Sequence, residues 1–257
     1  MLIDRGQNAK VNFLIVGTQK AGTTALFEGL RNHPEIYIPE IKELHFFDND
    51  NFFSKSHVDY SMYESRFNFN SRIKLYGEVT PSYMFWASSM KRIWTYNKNM
   101  KLIIVLRNPI TRAFSHWNMQ FEKNNEKHDF YYCIKNESER LKNATPTDIR
   151  RYSYAERGLY AKQLERILHF FDKNQLLFIK YEEFLENQET SVEQILNFLN
   201  VSSIDYEIKL NKTHNIPYKK KINKKEIDYL LDFYKNDITK VEEMLGWDCL
   251  DWKNTFT

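Results

Sequence analysis

Val11-Asn12-Phe13-Leu14-Ile15-Val16-Gly17-Thr18-Gln19-Lys20-Ala21-Gly22-Thr23-Thr24 decides the fold. Val11 to Val16 is an apolar, β-rich run that stops at Gly17, as a buried strand does. A turn of small residues follows, and Thr23 to Arg31 then carries helical spacing. A strand, a tight loop and a helix in this order place exposed backbone N–H groups and the positive end of a helix dipole together. Such a loop is an anion site, and a phosphate is the expected occupant.

The pattern recurs at Lys101 to Leu106 (KLIIVL), which Asn108-Pro109 ends. The next helix is expected over Thr111 to Phe121, with Pro109 suited to its first turn. Two strand–loop–helix units imply a parallel sheet covered by helices. Further strands are expected at Ile73 to Tyr76 and Leu176 to Lys180, and helices at Leu159 to Phe171 and Val192 to Leu199. The fold class is therefore α/β, a three-layer P-loop-like fold with a central parallel sheet of four or five strands flanked by helices. Phe121 to Arg157 is polar and without clear strands; it reads as helical and as a lining for a substrate cleft.

Around this frame the chain is 257 residues long, 42% hydrophobic and 16% aromatic, enough for one large core. No repeat or linker divides it, and Lys219 to Lys225 is the one basic tract, so a single domain over 1–257 is expected. Lys and Arg total 37 against 34 Asp and Glu, and a net charge of +3 argues against a general nucleic-acid surface. Cys133 and Cys249 lie far apart, outside any metal-binding spacing, so neither a disulfide nor a metal site is expected. The apolar run before Gly17 is short for a signal-peptide core, and no stretch approaches the roughly 20 residues of a membrane span. A soluble, reducing, cytoplasmic setting is the expectation.

The loop departs from the phosphate loop of nucleotide kinases. In GxxxxGK[ST] the lysine follows the second glycine; here Thr23 follows Gly22, and Lys20 lies two residues before that glycine. Kinases and ATPases also need Mg²⁺, usually held by an acidic residue at a strand end. The second strand here runs into Arg107, which favours an additional anion over a metal. A phosphoryl-transfer enzyme and a non-catalytic nucleotide-binding protein remain as alternatives from these residues alone.

Several motifs together resemble the sulfotransferases that use 3'-phosphoadenosine 5'-phosphosulfate (PAPS), especially the branch of the heparan sulfate sulfotransferases and their bacterial relatives. LIVGTQKAGTTAL is similar to that family's 5'-phosphosulfate loop, KELHFFDND to its segment after the first helix, and GEVTPSY to its substrate-side turn. LRNPITRAFSHW is similar to its 3'-phosphate element, and RGLYAKQLERIL and the stretch from Tyr218 through LLDFY to MLGW continue the likeness. The resemblance implies a sulfotransferase that releases adenosine 3',5'-bisphosphate (PAP) without a metal. It implies that Lys20 contacts the phosphosulfate, with Ala21, Gly22, Thr23 and Thr24 cradling the 5'-phosphate. A cation aimed at the oxygen left behind lowers the barrier selectively. Arg107 and Ser115 match the 3'-phosphate ligands, and a guanidinium fork with a hydroxyl suits phosphate oxygens. Lys220 and Lys221 resemble the loop that closes over the same phosphate, with Tyr218 packing on adenine. Arg112 is left out of the site, as a residue for the core or an acidic partner.

Glu43 matches the family's general base, which takes the proton of an attacking hydroxyl; partial burial is expected to raise its pKa. His45 and Asp48 support it. Glu78, Tyr83 and His116 are candidate acceptor contacts, together with Trp117, Phe85 and Trp86. One departure stands out: the heparan sulfate branch commonly has a lysine where this chain has Val79. The acceptor is then a carbohydrate or a small molecule, less anionic than a sulfated polysaccharide, and O-sulfation is favoured over N-sulfation because a hydroxyl most needs a base.

Overall fold

The computed structural model describes residues 10–70, 72–202, 218 and 220–254. In chain order the strands are β1 (Phe13–Gly17), β2 (Ile36–Tyr37), β3 (Leu75–Val79), β4 (Lys101–Leu106) and β5 (Leu176–Lys180). The α-helices are α1 (Thr23–Leu30), α2 (Ser61–Glu64), α3 (Ser89–Tyr96), α4 (Pro109–Glu122), α5 (Phe130–Lys135), α6 (Glu137–Leu141) and α7 (Pro146–Tyr152). They continue with α8 (Ala161–Phe170), α9 (Tyr181–Glu186), α10 (Gln188–Leu199), α11 (Lys224–Leu245) and α12 (Leu250–Asn254). Among the described residues no helix is long and apolar enough to cross a membrane.

The chain gathers into two compact units, one from residues 1–106 and 166–213, the other from 107–165 and 214–257. The first holds the sheet, in the order β2-β3-β1-β4-β5 with every pairing parallel. This is the α/β parallel sheet expected of the sequence, at the upper end of the expected strand number. All five residues of β1 and five of the six in β4 are buried, which explains why both read as near-continuous apolar runs. Each large aliphatic side chain buried there contributes about 1.5–3 kcal/mol. β1 lies between β3 and β4, so the chain leaves it to build the sheet in both directions. Ligands of open α/β sheets bind at the carboxyl end of such a switch point.

The second unit is helical. Asn108 caps α4, its side chain accepting the Ile110 N–H at 2.9 Å, and Pro109 occupies the first turn. Asp129 and Thr145 cap α5 and α7 in the same way, so the segment expected to be helical is a run of short capped helices. Buried Glu137 accepts the N–H groups of Ala155 and Glu156, each at 2.7 Å, and Tyr234 on α11 donates to the Ala155 carbonyl at 2.7 Å. Arg112 is fully buried and donates to the Tyr154 carbonyl. It belongs to the core.

Candidate active site

In the sheet-bearing unit, β1 delivers the loop Gly17 to Gly22 at its carboxyl end. Thr18 anchors it, its N–H and hydroxyl both donating to the Val105 carbonyl at 2.8 and 2.7 Å. Gly17 has no room for a side chain, because a Cβ would lie 2.8 Å from the Met84 sulfur. Lys20 and Gly22 both have φ of 74°, the left-handed region, which glycine tolerates and lysine adopts at a cost of roughly 1–2 kcal/mol. Ala21, between them, is buried and donates its N–H to the Thr18 carbonyl at 3.1 Å. Gly22 is the N-cap of α1 and makes no side-chain cap, so the first N–H groups of the helix have no intrahelical partner and suit an anion. Thr23 is buried and Thr24 half-buried beside them.

The segment Glu43 to Asp48 is held against the carboxyl end of β3. The Glu43 N–H donates to the Val79 carbonyl at 3.1 Å, and the Thr80 N–H donates to Ile15 of β1 at 3.1 Å. The segment is therefore tied to the strand whose neighbour carries the phosphate loop. Glu43 and His45 have φ of 63° and 51°, so the backbone is left-handed at both candidate catalytic residues. Strain of this kind persists only where surrounding contacts over-determine the conformation. Here Phe47 offers its carbonyl to Ser89 at 3.2 Å and Arg92 at 3.0 Å, and Phe46 donates its N–H to the Tyr83 hydroxyl at 3.0 Å.

A charge chain runs along this segment. The Lys42 ammonium lies 2.7 Å from Glu43 Oε1, His45 Nε2 lies 3.5 Å from Glu43 Oε2, and His45 Nδ1 lies 2.9 Å from Asp48 Oδ2. Asp48 is fully buried and also accepts the Ser82 hydroxyl. Burial alone raises the Glu43 pKa, but the His45 and Lys42 hydrogen bonds and charges outweigh it and bring it down to about 2. The expected elevation is thus corrected: two cations, not the apolar surroundings, govern this carboxylate. For His45, burial acts downward, yet Asp48 and Glu43 together push it up to about 9 and keep it an imidazolium at neutral pH.

Glu78 lies behind this chain, 1% exposed, and accepts three hydroxyls: Tyr83 at 2.7 Å, Thr80 at 3.0 Å and Tyr63 at 3.2 Å. Burial dominates and pushes its pKa up to about 7. Tyr83 and Asp48 are fully buried as well. As candidate acceptor contacts, all three sit beneath the surface and support the segment from behind. Phe85 and Trp86 are half-buried on the same turn, where Arg166 donates to the Met84 and Phe85 carbonyls, each at 3.2 Å. Val79 belongs to the apolar core of the sheet. The sequence did not mark Lys42, Tyr63 or Ser82; only the tertiary approach reveals them.

The helical unit carries the remaining candidates. Arg107 is half-buried, its Nε donating to the Thr111 hydroxyl at 3.0 Å, and Ser115 is buried on α4. His116 is fully buried with its ring 4.9 Å from that of Tyr154, and Trp117 is 1% exposed. Tyr218, half exposed, stacks on Phe114 at 5.5 Å between centroids. Lys220 extends over the rings of Trp117 and Phe121 at 5.9 and 5.3 Å, while Lys221 is exposed.

Comparison with known proteins closes the identification. The family model described as "Sulfotransferase domain" matches residues 10–257. Human heparan sulfate glucosamine 3-O-sulfotransferase 3A1 is 30% identical over 271 aligned residues, covering 96% of this chain and 64% of that protein, so the chain spans less than two thirds of this relative. A crystal structure of a sulfotransferase from Alicyclobacillus acidocaldarius superposes with a TM-score of 0.82 at 28% identity, covering 96% of this chain and 100% of that one. A mouse sulfotransferase complexed with PAP shares the fold alone, with a TM-score of 0.53 at 17% identity over 92% of this chain and 86% of that one. The chain belongs to the family of the PAPS-dependent sulfotransferases.

Proposed function

We propose that this chain moves a sulfuryl group from PAPS to a hydroxyl of a carbohydrate acceptor and releases PAP. One observation carries the reading. Within the sheet-bearing unit, a lysine-bearing phosphate loop accompanies a carboxylate–imidazole–carboxylate chain on a segment bonded to the neighbouring strand end. Membership of the sulfotransferase family sets the phosphoryl-transfer alternative aside. Within the sheet-bearing unit the loop suits a phosphosulfate, with helix N–H groups that lack an intrahelical partner, an ammonium and two threonine hydroxyls; the family resemblance assigns the 3'-phosphate to Arg107 and Ser115 of the helical unit.

When bound, PAPS supplies a sulfur centre already attached to a competent leaving group. The acceptor oxygen forms one S–O bond as the bond to the PAP oxygen breaks, and Lys20 meets the charge growing on that oxygen. Glu43 takes the acceptor proton and later yields it to solvent. A carboxylate held this acidic accepts the proton late, once the forming bond has made the hydroxyl acidic. Asp48 holds His45 charged, and His45 fixes the direction of the Glu43 carboxylate. Arg107 and Ser115 bind the 3'-phosphate, with Lys220, Lys221 and Tyr218 completing the nucleotide contacts.

The human relative's name specifies a glucosamine of heparan sulfate, which supports a glycan acceptor. The buried Val79 favours a second reading, a neutral hydroxyl compound, because no side-chain cation is offered from that position. The single domain over 1–257 belongs to the same proposal, supported by a family match that runs through both compact units. A reducing compartment is supported by two buried free thiols, Cys133 and Cys249.

Calorimetric titration with PAP, against ATP plus Mg²⁺, tests the nucleotide. Transfer from radiolabelled PAPS to heparan sulfate, to its desulfated form and to a panel of neutral alcohols tests the acceptor. PAP binding followed by labelled glycan supports the proposal; preference for ATP with Mg²⁺ overturns it.

A further inference from the structure

The role of Glu43 proposed above requires that its segment keep one geometry, and the structure contains a tether with no part in nucleotide binding. The Phe46 N–H belongs to the peptide group that follows His45. Whatever holds that N–H restrains ψ of His45 and so the backbone from which its side chain projects, while Asp48 and Glu43 hold the ring itself. The holder is the Tyr83 hydroxyl at 3.0 Å, which donates its own proton to Glu78 Oε1 at 2.7 Å. Glu78 is fixed in turn by Thr80 and by Tyr63 of α2. The Tyr83 ring packs edge-on against Phe47, with centroids 5.5 Å apart. We propose that Tyr83, oriented by the Glu78 carboxylate, is a positioning residue that holds the Glu43–Asp48 segment in its left-handed, reaction-ready conformation.

The ionisation of Glu78 matters to this arrangement. An ionised carboxylate accepts all three hydroxyls, whereas the protonated form is itself a donor and has less capacity for them. The groups facing Glu78 are Tyr63 from α2, Tyr83 and Thr80 from its own turn, and Asp48 from the base-bearing segment. β1 pairs Leu14 with it and adds no charge. Burial pushes the Glu78 pKa up to about 7, so its ionised form costs stability while it orients Tyr83.

Two variants of the full chain test the tether, Tyr83→Phe and Glu78→Gln, each first checked for PAP binding by calorimetry. Hydrogen exchange followed by mass spectrometry on peptides covering 44–49 needs no acceptor. Loss of one hydrogen bond is expected to speed exchange there by up to about tenfold in Tyr83→Phe. With PAPS and heparan sulfate, or the best acceptor of the panel, kcat is expected to fall by about tenfold or more at unchanged KM for PAPS, since small misplacements of a catalytic group are costly. Glu78→Gln is expected to be slower yet more stable than the parent above pH 7, and to lose the decline of kcat as pH falls through 7. Unchanged exchange, unchanged kcat in Tyr83→Phe, or a Glu78→Gln protein that is faster overturns the proposal. A parent protein that binds PAP but sulfates nothing refutes the proposed function instead, while the exchange result still decides whether Tyr83 tethers the segment.

Discussion

Removing His45 separates two carboxylates that it now holds together, and a double-mutant cycle with Asp48 measures the attraction. The rise of the His45 pKa from 6.5 to about 9 corresponds to about 3.4 kcal/mol in favour of the imidazolium, shared between Asp48 and Glu43. The ring is 37% exposed, so solvent screening reduces the usable part to roughly 2 kcal/mol. Asp48, fully buried, provides the larger share. His45→Gln takes the imidazolium away from the buried Asp48 carboxylate, whereas His45→Gln with Asp48→Asn removes both charges of the pair. The expected coupling at pH 6 is therefore about 1–2 kcal/mol, and the double variant is less destabilised than the sum of the singles. A group whose pKa is raised on folding contributes its stability in full below its unfolded value and loses it as pH rises through the folded one. The coupling should thus be fully present at pH 6, decline as pH rises through about 9, and be small at pH 10. Urea unfolding of the four proteins at pH 6, 8 and 10 reads it directly. A coupling near zero at pH 6, or one that does not change by pH 10, refutes the charged-imidazole account.

Three further outcomes are expected. Lys20→Ala should lower kcat by about 10²-fold while weakening PAP binding far less, as rapid-quench and calorimetric measurements would separate. Glu43→Gln should abolish transfer and leave PAP affinity unchanged; an active variant would remove Glu43 from the base role. Gly22→Ala should destabilise by about 1 kcal/mol or more by thermal unfolding, because the residue has φ of 74° and its Cβ would lie 3.0 Å from the Tyr181 ring; a variant as stable as the parent would refute the strain argument.

The sheet was most legible where both faces of a strand are covered. β4 and β5 run over the expected residues, and β1 differs from its expected span by one or two positions, because an uninterrupted apolar run has few other uses. β3 is displaced along the chain relative to Ile73 to Tyr76 and runs through Gly77 and Glu78, two residues that strands disfavour. Gly77 is required there because a Cβ would lie 2.2 Å from the Phe13 ring, and Glu78 is accommodated by three hydroxyls. β2 has two residues, too few to carry a periodic signal. The candidate residues themselves were legible as motifs; their support was not. Tyr63 and Ser82 reach Glu78 and Asp48 across 15 and 34 positions. Lys42 adjoins Glu43 in sequence, and the left-handed turn at Glu43 accompanies their pairing, which no periodicity announces. The downward direction of the Glu43 pKa has the same origin, since it depends on Lys42 and His45 being folded onto the carboxylate.

Val79 links the acceptor question to the history available to this chain. It is 1% exposed, pairs with Ile15 of β1 and belongs to the same apolar cluster as Phe13 and Ile103. A lysine introduced at this position alone would have to bring an ammonium through that packing or lose its proton. Greater attraction for a heavily charged acceptor is therefore not one mutation away at this position. The neighbouring side chains must first yield space, at a cost in folding that selection would register before any gain in substrate range. At position 79 the sheet itself therefore limits which side chains the chain can evolve.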